Sequence, residues 1–233
     1  MLKNKKLGFF CFSPPVMLAT LAIEITLLVF VIVQKKLNRT AQLIVATLFF
    51  LALFQLCEYF VCGGLGVSAM RWSRLGFIAI TTLPPLGLHL IHVIAGKKVG
   101  WVVWTGYAMM AFWIAVFGLG ESAFVAHECV SNYVIFQLHH YIGYAYSAYY
   151  YGLLLIGIAL ALNFGEHAKI KKQREALFGM IVGYLVFLLP TAIANTIDPA
   201  TMAGIPSIMC GFAVLFALIL FFYILPRTTK PKK

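Results

Sequence analysis

Charged side chains are scarce in this sequence. Only 11% of its 233 residues are Asp, Glu, Lys or Arg, whereas 62% are hydrophobic. Soluble domains carry roughly a quarter charged residues, and a chain with so few could not cover a water-exposed surface with polar groups. The composition therefore excludes a soluble globular domain and predicts an integral membrane protein that lies in the lipid bilayer.

Acidic residues are the rarer of the two charged types, with seven Asp and Glu against eighteen Lys and Arg and a net charge of +11. In a soluble chain, this excess of positive charge would favour nucleic-acid binding. Here the basic residues lie between long apolar runs instead of forming one patch. We therefore expect no nucleic-acid partner.

Seven apolar runs follow one another along the chain, and each is close to the 20 or so residues that cross a bilayer as a helix. They cover residues 14–34, 40–62, 75–96, 99–120, 141–165, 177–197 and 207–226. The runs are continuous and do not alternate in polarity, which excludes a transmembrane β-barrel. The sequence predicts an all-α fold in which residues 1–233 form one bundle of seven transmembrane helices.

Basic residues are distributed unevenly between the two sides of this bundle. Thirteen of the eighteen lie on one side: Lys35, Lys36, Arg39, Lys97, Lys98, Lys169, Lys171, Lys172, Arg174, Arg227, Lys230, Lys232 and Lys233. The other side has Lys3, Lys5, Lys6, Arg71 and Arg74. Because cytoplasmic loops collect Lys and Arg, we predict that the N-terminus is outside and the C-terminus inside, although the basic N-terminus opposes this orientation.

The longest predicted loop, at residues 121–140, lies on the outer side. Its large apolar residues are Phe124, Val125, Tyr133, Ile135 and Phe136. Long loops without secondary structure are uncommon in compact domains, so we expect a hairpin or a short helix that folds over the bundle.

Two cysteines on the outer side, Cys62 and Cys129, are candidates for a disulfide in an oxidising compartment. Cys11 is an alternative partner. Cys57 and Cys210 are expected to be buried and unreactive.

Histidines occur in two groups that are candidates for metal binding. His89 and His92 are one turn apart in the third predicted helix, but only Glu24 is a candidate ligand at matching depth, and we interpret both as packing residues. The outer loop contains a second group: His127, Glu128, Cys129, His139 and His140. Its spacing fits no zinc pattern, so we predict no metal site and leave the role of this group open.

Two acidic residues lie within predicted helices. An ionisable group at such a position usually either has a function or is paired with another buried group. Glu24 is near the middle of the first helix, and a protonated carboxyl bonded to a neighbouring carbonyl is the structural alternative there. Glu58 is about 6 Å from the outer end of the second helix by helical rise. Its structural alternative is a salt bridge to Arg71 or Arg74.

Further polar residues are expected at the same depth as Glu58. Thr81 and Thr82 precede the pair Pro84-Pro85, which should kink the third helix, and six tyrosines occur between residues 141 and 151. Polar groups that converge in an apolar, kinked bundle are typical of small-molecule sites. The predicted ligand-binding residues are Glu58, Gln55, Thr81, Thr82, Tyr144, Tyr149, Asn195 and Glu24.

Several kinds of chemistry have no basis in the sequence. No Lys occurs within any of the seven apolar runs, which excludes a retinal Schiff base, and we expect no cofactor. A Ser-His-Asp set, a P-loop and a Rossmann glycine pattern are also absent. We therefore predict that the chain is not an enzyme.

The chain resembles the seven-transmembrane sensor region of some bacterial and archaeal histidine kinases and diguanylate cyclases. The resemblance extends roughly from residue 14 to residue 226. The stretches that carry it are Glu58, Leu75-Gly76-Phe77, Thr82-Leu83-Pro84-Pro85-Leu86, Lys171-Lys172-Gln173-Arg174 and Pro190. It implies a sensor in a prokaryotic plasma membrane, but such regions normally feed a cytoplasmic catalytic domain, and only Arg227 to Lys233 follow the last helix here.

The function predicted from these observations is that of a stand-alone, receptor-like sensor. It would bind a small, partly apolar molecule from the outer side and signal through a separate cytoplasmic partner. The alternative is a structural or accessory subunit, with neighbouring membrane subunits as its partners. A third hypothesis is a membrane enzyme or transporter that uses Glu24 and Glu58 as proton carriers.

Overall fold

The structure, a computed structural model, describes residues 14–33, 37–63, 68–120, 123–130, 133–198 and 204–228. In order along the chain, the elements are α1 (Pro14–Val33), α2 (Arg39–Gly63), α3 (Ala69–Thr81), α4 (Leu83–Ile94), α5 (Trp101–Leu119), β1 (Phe124–Val130), β2 (Tyr133–Leu138), α6 (His140–Glu166), α7 (Lys171–Ile197) and α8 (Ile205–Leu218). A π-helical segment (Ile219–Ile224) and the short α9 (Leu225–Thr228) continue α8 without a break.

Seven helices in the described residues are long and apolar enough to cross a membrane. One of them combines α3 and α4 (Ala69–Ile94), and the last runs from α8 to the end of α9 (Ile205–Thr228). The predicted helical fold with seven helices of membrane-spanning length is therefore confirmed.

Two helices begin earlier than their apolar runs indicate. The third begins at Ala69 and the sixth at Lys171, six residues before the predicted starts at Leu75 and Leu177. Because Lys, Arg and Gln favour helix about as strongly as Leu does, a helix continues past the end of its apolar part. An apolar run therefore gives a lower limit to helix length.

The two ends of the bundle differ in chemistry. At one end, which we call the hairpin end, α2 and α5 end and α3 and α6 begin. The two strands lie at this end as well. At the other end, which we call the basic end, are the exposed side chains of Lys97, Lys98, Lys171, Lys172 and Arg174. α4 stops at this end with Gly96 in a left-handed conformation (φ 63°), which favours glycine.

The third membrane-length helix is interrupted at Thr82, between α3 and α4. Pro84 and Pro85 follow directly at the first turn of α4, where proline is tolerated because its missing N–H has no helical partner at a helix start. The predicted disturbance at the proline pair is thus a break into two helices. Pro190, by contrast, lies within the uninterrupted α7.

An antiparallel hairpin of β1 and β2 covers the hairpin end, which is one of the two alternatives predicted for this loop. Phe124 pairs with Leu138 and Val130 with Tyr133, with a register irregularity between Phe124 and Ala126. Phe124 and Phe136 are buried, whereas Val125 is exposed. The hairpin therefore places one face on the bundle.

Below the hairpin lies a core of aromatic side chains. Phe77 of α3 is at its centre, with ring centroids 5.2 Å from Phe117, 5.1 Å from Phe124 and 5.3 Å from Phe136. These edge-on arrangements are the ones that aromatic rings prefer. The hairpin, α3 and α5 are thus held together at this end.

Small residues let the helices approach one another in the other half of the bundle. A Cβ atom at Gly87 would overlap the Tyr184 hydroxyl, and one at Gly157 would lie 3.0 Å from the same ring. A Cβ at Gly183 would lie 2.5 Å from Phe216. Close packing on small residues is the usual way in which helices associate in a bilayer.

Candidate functional site

A cavity of about 490 Å³ opens at the hairpin end between α3, β2, α6 and the start of α8. Its lining residues are Phe77, Ile80, Phe136, Gln137, Leu138, His140, Gly143, Tyr144, Tyr146, Ser147, Tyr150, Tyr151, Ile205, Pro206, Met209 and Cys210. None of these described residues is Asp, Glu, Lys or Arg. Small-molecule sites in proteins have volumes of about 300–1,000 Å³ and mainly apolar walls with a few polar groups, and this cavity fits both criteria.

One face of α6 forms the longest wall of the cavity. Its lining positions 140, 143, 144, 147, 150 and 151 recur every three or four residues, as positions on one side of a helix do. Gly143 leaves space in the cavity because it has no side chain. A Cβ atom there would have only Leu138 near it, at 3.8 Å.

A hydrogen-bonded group behind the cavity connects α6 to the end of α3. The Thr81 hydroxyl donates to the Phe77 carbonyl at 2.6 Å and lies 3.1 Å from the Tyr146 hydroxyl. Because the single proton of Thr81 is already used, Tyr146 donates in this second bond. The Tyr149 hydroxyl donates to the Thr81 backbone carbonyl at 2.7 Å, so these side chains fix the wall and do not face the cavity as a free polar set.

Tyr146 is also held by edge-on and tilted aromatic neighbours. Its ring centroid is 5.0 Å from Phe117, 5.3 Å from Trp113 and 5.6 Å from Phe77. Tyr151, also on α6, contacts the opposite wall, where its hydroxyl lies 3.4 Å from the Met209 sulfur of α8. The cavity walls on α6 and α8 are therefore in direct contact at their inner end.

A second, much smaller cavity of about 10 Å³ lies between α1, α2 and α8. Its polar lining residues are Thr20, Gln55, Glu58 and Ser207. Glu58 is 2% exposed, and Glu24, one helical turn beyond Thr20 on α1, is fully buried. We call this group, with Glu24 included, the acidic site.

Hydrogen bonds connect the acidic site to the larger cavity. The Gln55 amide donates to the Cys210 carbonyl at 3.0 Å. The Ser207 hydroxyl accepts the Val134 N–H of β2 at 3.2 Å and is bonded to Glu58. The two cavities therefore share the first turns of α8 as a common wall.

No cation balances the acidic site among the described residues. Arg74 donates from Nε and Nη2 to the carbonyls of Phe117 and Gly118 at the end of α5, at 2.8 Å each. The one salt bridge in the described part of the chain joins Arg227 to Glu175 at the basic end, at 2.9 Å. The structural alternative for Glu58, a salt bridge to Arg71 or Arg74, is therefore wrong.

The predicted ligand-binding residues do not form one ring. Tyr144 lines the large cavity, and Thr81 and Tyr149 support its wall from behind. Glu24, Gln55 and Glu58 belong to the acidic site. The Thr82 hydroxyl donates to the Ala79 carbonyl at the helix break. Asn195 is half-buried on α7 and lines neither cavity.

Several lining residues were not predicted to bind a ligand, among them Ser147, Tyr150 and Met209. His140 was considered only as a metal ligand. The helical spacing of positions 140, 144, 147 and 151 was a usable signal, because it marks one face of α6. The contribution of β2 and α8 had no comparable signal, since it depends on which elements become neighbours.

The histidines that we tested as metal ligands have other partners. His89 Nδ1 bonds to the Tyr107 hydroxyl at 2.9 Å, and His92 Nδ1 donates to the Leu88 carbonyl at 2.8 Å. His139 and His140 are exposed, while the side chains of His127, Glu128 and Cys129 lie outside the described residues. No group of three or more His, Cys, Asp or Glu suited to a metal ion occurs within the described ranges.

Cys62 is disulfide-bonded, whereas Cys57 and Cys210 are buried free thiols. The side chain of Cys129 and the whole of Cys11 are outside the described residues. The pairing of Cys62 with Cys129 therefore stays a prediction.

No protein-family model matches this chain, and no curated protein matches it at a significant level.

Proposed function

We propose that this chain is an integral membrane protein that senses a small, partly apolar molecule in the cavity at the hairpin end. The observation that carries the proposal is the cavity itself, with a volume of about 490 Å³ and walls of aromatic rings with few polar groups. The second support is the rigid wall behind it, in which Thr81, Tyr146 and Tyr149 hold one another. A preformed, mainly apolar pocket is what a small ligand requires.

The lining residues favour an uncharged ligand. A charged molecule would lose its hydration on entry and find no opposite charge on the walls, which is unfavourable by several kcal/mol. The polar groups available on the walls include the Ser147 hydroxyl, the Gln137 amide and the His140 imidazole. The ligand class is therefore a neutral molecule with a ring-shaped or branched apolar body and one to three hydrogen-bonding groups.

The distribution of basic residues supports entry of the ligand from outside the cell. Lys and Arg concentrate at the basic end, and membrane proteins keep such residues in the cytoplasm. The hairpin end, with the cavity and the disulfide-bonded Cys62, then faces the oxidising outer side. The resemblance to prokaryotic sensor regions makes the plasma membrane of a prokaryote the proposed location.

The last membrane-length helix offers a route for the signal. Met209 and Cys210 near its start line the cavity, and the same helix ends at the basic end with Arg227 paired to Glu175 of α7. A ligand that shifts the start of α8 acts through a continuous helix on this ion pair. We infer that a separate cytoplasmic protein reads the change at the basic end.

Exposed apolar side chains on every membrane-length helix suit a bundle that is surrounded by lipid, which favours a receptor over a subunit that is enclosed by other subunits. Each of the seven membrane-length helices exposes large apolar side chains, for example Phe30, Phe49, Leu75, Phe112, Leu155, Leu189 and Leu215. A helix with no lipid-facing side would instead indicate a subunit interface.

The test is a ligand screen on the purified chain in lipid nanodiscs, with thermal unfolding followed by tryptophan fluorescence. Neutral compounds with a ring and one to three polar groups are compared with matched charged analogues. Gly143→Leu places a side chain into the cavity, and Gly152→Leu is its control on the same helix, because nothing lies within 4 Å of a Cβ atom at Gly152.

At least one neutral class should raise the melting temperature saturably in the wild type and in Gly152→Leu but not in Gly143→Leu. If no compound stabilises the wild type, or if stabilisation is equal in all three proteins, the proposal fails.

A further inference from the structure

We propose that the acidic site binds one small monovalent cation, with sodium as the probe, between α1, α2 and α8. This site is separate from the ligand cavity, and the argument for it does not depend on the proposed ligand. It rests on unpartnered oxygen atoms, on the size of the cavity beside them and on the absence of a positively charged side chain near them in the part of the chain that the structure describes.

Three buried carboxyl oxygens of the acidic site have no hydrogen-bond partner among the described residues: both oxygens of Glu24, and Oε1 of Glu58. Buried polar atoms in folded proteins nearly always have a partner, and exceptions call for water or an ion. Glu58 lines the small cavity, so this cavity is the space beside its carboxyl group in which a partner fits.

The cavity beside Glu58 has room for one ion or one water molecule. Its volume of about 10 Å³ is close to the lower limit of about 10–15 Å³ for a single water. An organic ligand does not fit, and neither does a hydrated Mg²⁺ ion, which keeps several of its waters. A bare monovalent ion is the charged species that matches this space.

The lining supplies the oxygen atoms that such an ion requires. The Thr20 hydroxyl donates to the Met17 carbonyl at 2.9 Å, which leaves its oxygen lone pairs available. Ser207 presents a hydroxyl and Gln55 an amide, and Glu58 contributes the carboxylate. Ca²⁺ takes six to eight oxygens, more than these four side chains offer, whereas a singly charged ion matches a single lining carboxylate.

Charge balance explains why the ion would be retained. Glu24 and Glu58 are close enough for their charges to interact, and ionised carboxyls in an apolar interior are strongly unfavourable without a counter-charge. Within the described ranges, the other titratable groups that face the pair are the thiols of Cys57 on α2 and Cys210 on α8, which provide no positive charge. Since no described side chain supplies a counter-charge to Glu58, an ion from solution takes this role, and a proton on Glu58 is its competitor.

The experiment is thermal unfolding of the full chain in nanodiscs over a sodium chloride series. Choline chloride replaces sodium chloride so that the ionic strength stays constant. Choline is the control ion because it is too large for the cavity. Sodium should raise the melting temperature saturably, and the series is repeated at neutral and mildly alkaline pH. Glu58→Gln should abolish the sodium effect, whereas Glu175→Gln, the same chemical change at the basic end, should leave it unchanged.

A second variant keeps the test valid if Glu58→Gln does not fold. Thr20→Val retains the shape of the side chain but removes one oxygen ligand, and should raise the half-saturating sodium concentration about tenfold or more, as expected when one bond to a charged group is lost. An identical melting temperature in sodium and choline at both pH values would show that Glu58 is only protonated and would overturn the proposal. So would a sodium effect that survives in Glu58→Gln and Thr20→Val.

Discussion

The Tyr149 hydroxyl of α6 donates to the backbone carbonyl of Thr81 at 2.7 Å. In an uninterrupted helix this carbonyl would accept the N–H of the residue four positions later, but that residue is Pro85, which has no N–H. The tyrosine therefore replaces a bond that proline removes. Through this contact the break between α3 and α4 is tied to the wall of the cavity.

The first prediction is that Tyr149→Phe destabilises the protein by about 1–3 kcal/mol, because it leaves the buried Thr81 carbonyl without a partner. In a Pro85→Ala background the new backbone N–H can reach this carbonyl, so the same change should have a much smaller effect. Unfolding in mixed micelles for the four proteins of this double-mutant cycle measures the coupling. Equal effects of Tyr149→Phe in both backgrounds would refute the replacement.

The second prediction concerns the contact between α7 and α8. A Cβ atom at Gly183 would lie 2.5 Å from Cδ2 of the buried Phe216 ring, so Gly183→Ala should destabilise the bundle by about 1–3 kcal/mol through overpacking. Gly152→Ala is the control, because its Cβ meets open space. The comparison of the two melting temperatures decides: equal values would mean that α7 and α8 do not pack as described.

The third prediction concerns the disulfide of Cys62. Non-reducing peptide mapping by mass spectrometry should find Cys62 joined to Cys129, because both lie on the predicted outer side. Cys57 and Cys210 should be alkylated only after unfolding, since both are buried free thiols. A Cys62–Cys11 peptide would transfer the bond from the outer loop to the N-terminal segment.

The fourth prediction is the orientation in the membrane. A protease-sensitive tag at the C-terminus should be protected in intact cells, and one at the N-terminus should be cleaved, because the basic end belongs in the cytoplasm. Permeabilised cells serve as the control, in which both tags are cut. The reverse pattern would place the cavity on the cytoplasmic side and contradict entry of the ligand from outside.

The fold was largely predictable because its main signal is local. An apolar run of about 20 residues specifies a membrane-length helix without reference to any other part of the chain. The hairpin was foreseen as one of two alternatives, from the apolar residues of the long loop. The early starts at Ala69 and Lys171 were missed because helix propensity continues where hydrophobicity stops.

The site was predictable in depth but not in arrangement. Helical rise places Glu58 and Thr81 at similar depths, but rise does not tell which neighbour each side chain faces. Glu58 points toward α1 and α8, whereas Thr81 bonds to α6. Their separation into two sites follows from helix packing, which depends on contacts such as Gly87 with Tyr184 between residues distant in sequence.

The most direct test of the account is an electron cryomicroscopy map of the chain purified from its native membranes. The account predicts a compact, non-protein density between Tyr144, Tyr150 and Met209, present in the wild type and in Gly152→Leu but lost in Gly143→Leu. Side chains that fill this space in the wild type, or acyl-chain density that continues from the bilayer in all three proteins, would contradict a ligand site at the hairpin end.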